Sequence, residues 1–505
     1  MKYDNVFKNT LMLTASGIIA KTIDFSFRTY YSKMLGSEGC GLLSLVFSAY
    51  SIMLTFASAG ISVAVSKIIS QHLMERNMLA VKKTMRTALL SVFFSSLVII
   101  LIVFLISDFI AADLLKDERT KYSIMFICPS MLFMSISYCY KGYFYSSRRV
   151  LIPASSEFVE QLVKITSISF LLSRWLPFGI EQGCCAVFLG LTLGEASSCL
   201  YLSLFYFFNQ KKLPAQGRNV PVASAIVKIA FPAMITSLSG SYLRMQEELL
   251  TVSGLKKFGY AHSEALGTYG TISGMVLPLT AFPLTLLSSF LTLLVPEISR
   301  AAAMTRKERL KDLSGKVYKF ASIASFLVVT ILFVHADELA KVFYNKNNIG
   351  SIIMVFACIL PISLFDSVSH GILNGLGKQM TLLMLTLSES LLRIIICFFL
   401  IPKLGMPAII ITVYAGGLFS FVIKLFIVLS KTRLKLPLLE WFGAPFFVSL
   451  FTVFLTGLTF NTILANANFV IKIFITVLCY IILMLTGKII TADEIKWVKA
   501  KLTNK

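Results

Sequence analysis

The chain is 505 residues long; 56% of it is apolar and only 14% is Asp, Glu, Lys or Arg, against about 25% charged in an ordinary soluble protein. A mean hydropathy of +0.80 with 42 Phe excludes a soluble enzyme, a disordered chain and a nucleic-acid binder, despite a net charge of +22. The apolar residues suffice for roughly fourteen membrane spans of about 20 residues each.

In chain order the apolar runs lie near 6–33, 40–70, 84–107, 120–145, 151–173 and 182–208, then 222–249, 265–295, 317–334, 350–375, 380–401 and 406–429, and last 442–464 and 469–487. The fold class read from them is an all-α polytopic membrane protein of about fourteen transmembrane helices. The first run is not a cleavable signal segment, because Lys8, Lys21, Asp24 and Arg28 interrupt it. Basic clusters at Lys82/Lys83/Arg86, Arg148/Arg149, Lys211/Lys212/Arg218 and the Arg300–Lys319 stretch all fall on the cytoplasmic side if the N-terminus does. Lys/Arg asymmetry is what orients a polytopic chain, so both termini are expected in the cytoplasm. The positive excess is then explained by topology and anionic lipid headgroups, with no nucleic-acid partner.

The nine Cys are scattered, with no CxxC, and the adjacent Cys184–Cys185 pair reads as small apolar packing. Four isolated His, no HExxH, no P-loop and no GxGxxG leave no catalytic, metal or nucleotide constellation. No enzyme, metal or cofactor is expected.

The strongest organising signal is an internal repeat. Asp108 in Ser107-Asp-Phe-Ile-Ala precedes Asp337 in Ala336-Asp-Glu-Leu-Ala by 229 residues. The same offset relates Gly142 to Gly371, Arg149 to Lys378, and Glu160-x-x-x-Lys164 to Glu389-x-x-x-Arg393. Pro129-x-x-Leu-Phe-x-Ser135 resembles Pro361-x-x-Leu-Phe-x-Ser367, and Ser37-Glu38-x-x-Gly41 resembles Ser263-Glu264-x-x-Gly267 at nearby offsets. Each repeat holds six spans, an even number, so the halves enter the membrane in the same direction and are parallel repeats. The expected division is an N-terminal lobe over 1–210, a C-terminal lobe over 211–431, two extra spans over 432–490 and a cytoplasmic tail over 491–505. Duplicated halves of this kind alternate access in many secondary transporters; a channel or receptor can also carry a duplication.

Charge inside the spans is the next signal, since a charged side chain at mid-membrane costs about 2.5–3.5 kcal/mol on insertion scales unless it finds a partner or a wet cavity. Lys21, Asp24 and Arg28 sit at i, i+3 and i+7 on one face of span 1. Lys21 and Asp24 are placed to neutralise each other in part, leaving about one positive charge for an anion. Lys67, Lys228 and Arg244 are further candidates for a cationic chamber; Lys67 lies near enough to a span end to snorkel. On span 5, Glu157, Glu160 and Lys164 form a polar stripe in which Glu160 and Lys164 have self-pairing i,i+4 spacing, as do Glu389 and Arg393 in the second repeat. Asp24, Glu195 and Asp366 are candidates for ion coupling, although an interhelical hydrogen bond explains Glu195 and Asp366 as well. Gly270, Gly274, Pro278 and Pro283 interrupt span 8 and mark it as the hinge candidate.

Several segments together carry a resemblance: Gly17-x-x-x-Lys21-x-x-x-Phe25-x-x-Arg28, Gly36-x-Glu38-Gly39-x-Gly41-Leu42, Lys141-Gly-Tyr-Phe144, Pro153-Ala-Ser-x-x-x-x-Glu160-Gln161, Gly194-Glu195, Leu294-Val-Pro-Glu-Ile-Ser299 and Gly375-Leu-Gly377. Over nearly its whole length the chain resembles the multidrug/oligosaccharidyl-lipid/polysaccharide exporter superfamily, most of all the stage V sporulation protein B branch, which is similar to the lipid II flippases. The resemblance implies two six-helix lobes, a cationic cavity lined by spans 1, 2, 7 and 8, and a polyprenyl-tail groove on spans 13 and 14. Lys21 stands where that pattern usually shows Arg, and Asp24 where Gly is usual.

The expected function is export across a bacterial cytoplasmic membrane of a polyprenyl-pyrophosphate-linked oligosaccharide, a peptidoglycan, spore-wall or polysaccharide precursor, driven by Na+, H+ or the membrane potential. The partners are membrane lipids, the glycan lipid and wall-synthesis enzymes. A multidrug–cation antiporter and a non-transporting scaffold for wall or spore assembly are the alternatives.

Overall fold

The protein is described here from a computed structural model covering residues 3–58, 60–210, 218, 220–292, 307–432, 439–462 and 468–489. The Leu294–Ser299 motif, Lys211, Lys212, Arg300 and the 491–505 tail lie outside these residues. The described residues form helices and connecting turns, with no strand among them. That is the outcome demanded of a chain in hydrocarbon, where only intrahelical hydrogen bonds satisfy an open run of backbone.

The first helix, α1 (Tyr3–Ser58), is 56 residues long, about 84 Å at the helical rise, against a hydrocarbon core of about 30 Å. It holds two expected spans and breaks at Gly36, whose φ of 71° and ψ of −172° suit a residue without a Cβ. Then come α2 (Ile61–Met74), α3 (Met78–Leu105), α4 (Thr120–Ser146), α5 (Leu151–Trp175), α6 (Ile180–Gln210), α7 (Ala223–Phe258) and α8 (His262–Gly270). A π-helical segment, Thr271–Val276, leads into α9 (Leu277–Thr292). After it follow α10 (Lys307–Val334), α11 (Ala336–Tyr344), α12 (Gly350–Ala357), α13 (Leu360–Gly375), α14 (Gln379–Leu404), α15 (Met406–Thr432), α16 (Ala444–Thr462) and α17 (Phe469–Thr486).

Among the described residues, eleven helices are long and apolar enough to cross a membrane, or up to twelve if α12 and α13, bent by 41°, make one span. The expected fourteen is not reached, for two reasons. The stretch Ser16–Met74 counts once although it is 59 residues long, and α5 carries Glu157, Glu160, Lys164 and Arg174, which make it too polar to qualify.

The 229-residue repeat is visible in the element boundaries. Met78–Leu105 is matched by Lys307–Val334, the short turn starting at Ser107 by α11 starting at Ala336, Thr120–Ser146 by the bent pair ending at Gly375, and Leu151–Trp175 by Gln379–Leu404. Residues one repeat apart also touch. Ser44 Oγ lies 3.1 Å from Ser273 Oγ. Gly41 packs on the Leu266 backbone, and Gly270 packs on the Ser37 backbone and on Gly41 itself. Leu266 is the repeat counterpart of Ser37, so the contact is reciprocal, as a twofold relation requires. Both crossings need glycine, because a Cβ at either position would collide with a carbonyl oxygen that cannot swing away.

Contacts divide the chain into two compact units, Met1–Gly274 with Ile394–Met406, and Met275–Arg393 with Pro407–Lys505. In the first, Ile69, Met85, Phe144 and Leu202 are buried in one apolar cluster, with Tyr206 edge-on to Tyr143 at 5.0 Å. In the second, Tyr318 stacks on Phe365 at 5.7 Å and on Trp441 at 5.9 Å while its hydroxyl lies 2.7 Å from Ser369 Oγ. A bond from Lys472 Nζ to Glu338 Oε1 (2.8 Å) ties α17 to α11.

Gly270→Val should cost about 1–3 kcal/mol by overpacking and lower the unfolding temperature in detergent. Gly17→Ala, at a position with nothing within 4 Å of an added Cβ, should change it little. Equal behaviour of the two variants in a thermal-unfolding assay would contradict the close crossing.

Candidate functional site

The charged face of α1 is organised by a partner on another helix. Lys164 Nζ on α5 donates to Asp24 Oδ1 at 2.5 Å. Lys164 thus bonds to Asp24 rather than to Glu160 four residues before it, although Glu160 stays within its electrostatic reach. The Lys164 side chain is only 9% exposed and that of Asp24 is 52% exposed, so the enclosed ammonium is satisfied by the acid of the helix it faces. In the second repeat the intrahelical pair does form, Arg393 Nη2 donating to Glu389 Oε1 at 2.8 Å. The repeat counterpart of Asp24 is Ser253, which carries no carboxylate.

The first unit also carries an open cavity of about 460 Å³, within the size range of small-molecule sites. Thr55 and Ser58 from α1, Ser62 from α2, Tyr138, Lys141 and Tyr145 from α4, Glu157 from α5 and Ser237 from α7 line it. Lys141 Nζ lies 3.6 Å from Glu157 Oε1. Glu160 and Glu195 stand within electrostatic reach of Lys141, Lys164 and Glu157. Four carboxyl groups therefore lie around two ammonium groups. Lys21, Lys67, Lys228 and Arg244 are exposed and Arg28 is half-buried; none of them is among the cavity-lining residues.

Sequence reasoning missed Lys141, Tyr138 and Tyr145 as site residues. The signal was present in Lys141-Gly-Tyr-Phe144, which counted only toward family resemblance and not as a charge within a span.

Asp366 accepts from Lys424 Nζ at 2.8 Å and from Ser420 Oγ at 3.0 Å. It is the satisfied interhelical acid that the sequence allowed, and any ion it binds must displace that pair. At the hinge candidate, Gly270 and Gly274 are close-packing positions, the latter with an added Cβ only 2.5 Å from Cys40 Cβ. The distortion itself is the π segment Thr271–Val276, the kind of irregularity that marks a bend. Pro278 and Pro283 follow it in α9.

A polar knot at the ends of the helices ties the turn before α4 to α1 just past its Gly36 break and to the start of α8. Asp117 accepts from Arg119 Nε at 3.0 Å and Nη2 at 2.8 Å, and His262 Nε2 lies 2.9 Å from its Oδ2. Arg119 Nη1 donates to Glu38 Oε1 at 2.8 Å. Burial pushes the Asp117 pKa up, but the bonds from Arg119 and His262 outweigh it and hold the carboxyl below its usual value. Among the described residues, no group of three or more His, Cys, Asp or Glu is placed to hold a metal ion.

Comparison with known proteins agrees with this architecture. The sequence profile of the polysaccharide biosynthesis protein family matches residues 6–302. Stage V sporulation protein B of Bacillus subtilis is 24% identical over 516 residues, 98% of each chain. Lipid II flippase MurJ of Bacillus subtilis is 20% identical over 402 residues, 74% of this chain and 73% of that one. Among solved structures, a lipid II flippase MurJ in an inward closed conformation superposes with a TM-score of 0.70 at 14% identity, over 95% of this chain and 99% of that one. An inward-facing multidrug resistance MATE family transporter of the MOP superfamily gives 0.66 at 14% identity, over 82% and 95%. The fold and these matches define a multi-pass, all-helical membrane protein. More narrowly, the chain belongs to the polysaccharide biosynthesis protein family.

Two outcomes are expected of the polar contacts. Asp24→Asn strands an enclosed ammonium, whereas Lys164→Met leaves a half-exposed carboxylate; the first should therefore lower the unfolding temperature more, and the double variant should recover part of the loss. The stabilisation from Asp117, whose folded-state pKa is depressed, is complete above the ordinary Asp pKa of about 3.9 and disappears as pH falls through the lower folded value. Thermal melts from pH 7 to pH 3 should show that loss below about pH 4, and Asp117→Asn should start lower and decline less.

Proposed function

We propose that the protein moves a polyprenyl-pyrophosphate-linked oligosaccharide across a bacterial cytoplasmic membrane, as a precursor of spore or vegetative wall peptidoglycan or of another polysaccharide. The observation that carries this reading is the commitment of Asp24 to Lys164 in a chain of the polysaccharide biosynthesis family. With Asp24 held by α5, Lys21 and Arg28 on the same face of α1 are the cations proposed to meet the anion. In this mechanism Lys21, Arg28 and Arg244 hold the pyrophosphate, Lys67 and Lys228 add to the positive field, and the lipid tail stays in hydrocarbon along α16 and α17. With both termini in the cytoplasm, as the basic clusters favour, the Asp117 knot lies toward the extracellular end.

An anion leaving an inside-negative cell gains about 2.3 kcal/mol per charge per 100 mV, so the membrane potential contributes drive. Na+ or H+ taken up at the acid-rich network of Asp24 and Glu195, or at Asp366, is the proposed coupling. Wall-synthesis enzymes are the partners that supply and consume the lipid.

The same acid-rich network favours a second reading, antiport of cationic drugs. Arg28→Ala protein reconstituted in vesicles should fold normally yet lose most flipping of a fluorescent polyprenyl-pyrophosphoryl glycan. Undiminished flipping would count against the anion site, and dye efflux that depends on Asp24 and Asp366 would favour antiport.

A further inference from the structure

We infer that the cavity lined by α1, α2, α4, α5 and α7 binds a zwitterion, a ligand that carries an ammonium and an oxyanion a few bonds apart. The headgroup of an aminophospholipid and a free amino acid share this chemistry. The site does not use the cations of α1 proposed to hold pyrophosphate, and it stands whether or not that reading holds.

Charge balance is the first reason. Lys141 and Glu157 are the charged residues among those that line the cavity, so its wall bears one charge of each sign. Their heads stand 3.6 Å apart, beyond the roughly 2.7–2.9 Å of a charge-assisted hydrogen bond. Neither head is hydrogen-bonded to another described residue. Their side chains are 17% and 37% exposed, so a ligand in the cavity can reach both. As a structural tie such a pair would contribute little, since ion pairs open to solvent are weak.

The pair also selects against ligands of a single charge. An anion on Lys141 competes with Glu157, and a cation on Glu157 competes with Lys141. Either leaves one member of the pair without a partner, which is the costly outcome. A zwitterion inserts between them and gives each ion a group of opposite sign. A neutral polyol can bridge them too, but charge-assisted hydrogen bonds are roughly twice as strong as neutral ones.

The rest of the wall suits the same ligand. Tyr138, Lys141 and Tyr145 share one face of α4 at i−3, i and i+4. Both rings line the cavity, and an aromatic face attracts a ligand ammonium. Thr55, Ser58, Ser62 and Ser237 add hydroxyls that donate to phosphate or carboxylate oxygens.

The test is titration by saturation-transfer NMR of the detergent-solubilised full chain with glycerophosphoethanolamine, β-alanine, glycerophosphoglycerol and ethanolamine. The first two are zwitterions, the third an anion and the last a cation. At least one zwitterion should bind about tenfold more tightly than both the anion and the cation. A lead for glycerophosphoethanolamine assigns the site to a phospholipid headgroup, and a lead for β-alanine assigns it to a free amino acid. Glu157→Gln should erase the preference over the anion, Lys141→Met should erase the preference over the cation, and the exchange of Lys141→Glu with Glu157→Lys should restore zwitterion binding. Zwitterions that bind no more tightly than the singly charged probes, absence of binding by all the probes, or a preference that both single variants keep would overturn the inference. If the variants unfold at a lower temperature than the parent, the ranking of the probes on the parent protein decides by itself.

Discussion

An ammonium ion enclosed among membrane helices must have an anion beside it, and the bond from Lys164 to Asp24 is how this chain meets that demand. The cost of an unpartnered charge in hydrocarbon is several kcal/mol, more than a single i,i+4 pair on a helix surface returns. The facing acid on α1 therefore wins over Glu160 on the same helix. That choice ties α1 to α5 and leaves Glu160 beside Glu157 and Glu195. The second repeat has Ser253 in place of Asp24 and reverts to the intrahelical Arg393–Glu389 bond. The two copies of one polar stripe thus pair differently.

The duplication also accounts for the tightest crossing in the first unit. A residue on a twofold relation meets its own counterpart, so Gly41 meets Gly270 and Ser44 meets Ser273. Small residues let backbones approach where lipid gives no hydrophobic drive for helix association. The same two positions, together with the π segment after Gly270, show why glycine in span 8 signals close packing as much as bending. The Asp117 knot adds a second kind of tie at the ends of the helices, built from charged hydrogen bonds.

Membrane class, helical content, the 229-residue repeat and the identity of most charged residues in the spans were legible from the sequence alone, because each depends on composition or on spacing along one helix. The span count was less legible. A continuous helix through Gly36 and a polar α5 both defeat a rule that looks for separate apolar segments. Lys141 went unnoticed as a site residue because its pairing with Glu157 on another helix has no signature in spacing along one helix.

What the sequence determined by itself was therefore everything governed by the solvent: how much of the chain enters hydrocarbon, in which secondary structure, and with which charges inside. Only the tertiary structure decided which of those charges meet. Lys164 could pair with Glu160 at four residues' distance or with Asp24 at 140, and spacing along the chain favours the first. The second prevails because electrostatic energy depends on distance in space and on burial, and both are set by helix packing rather than by order along the chain.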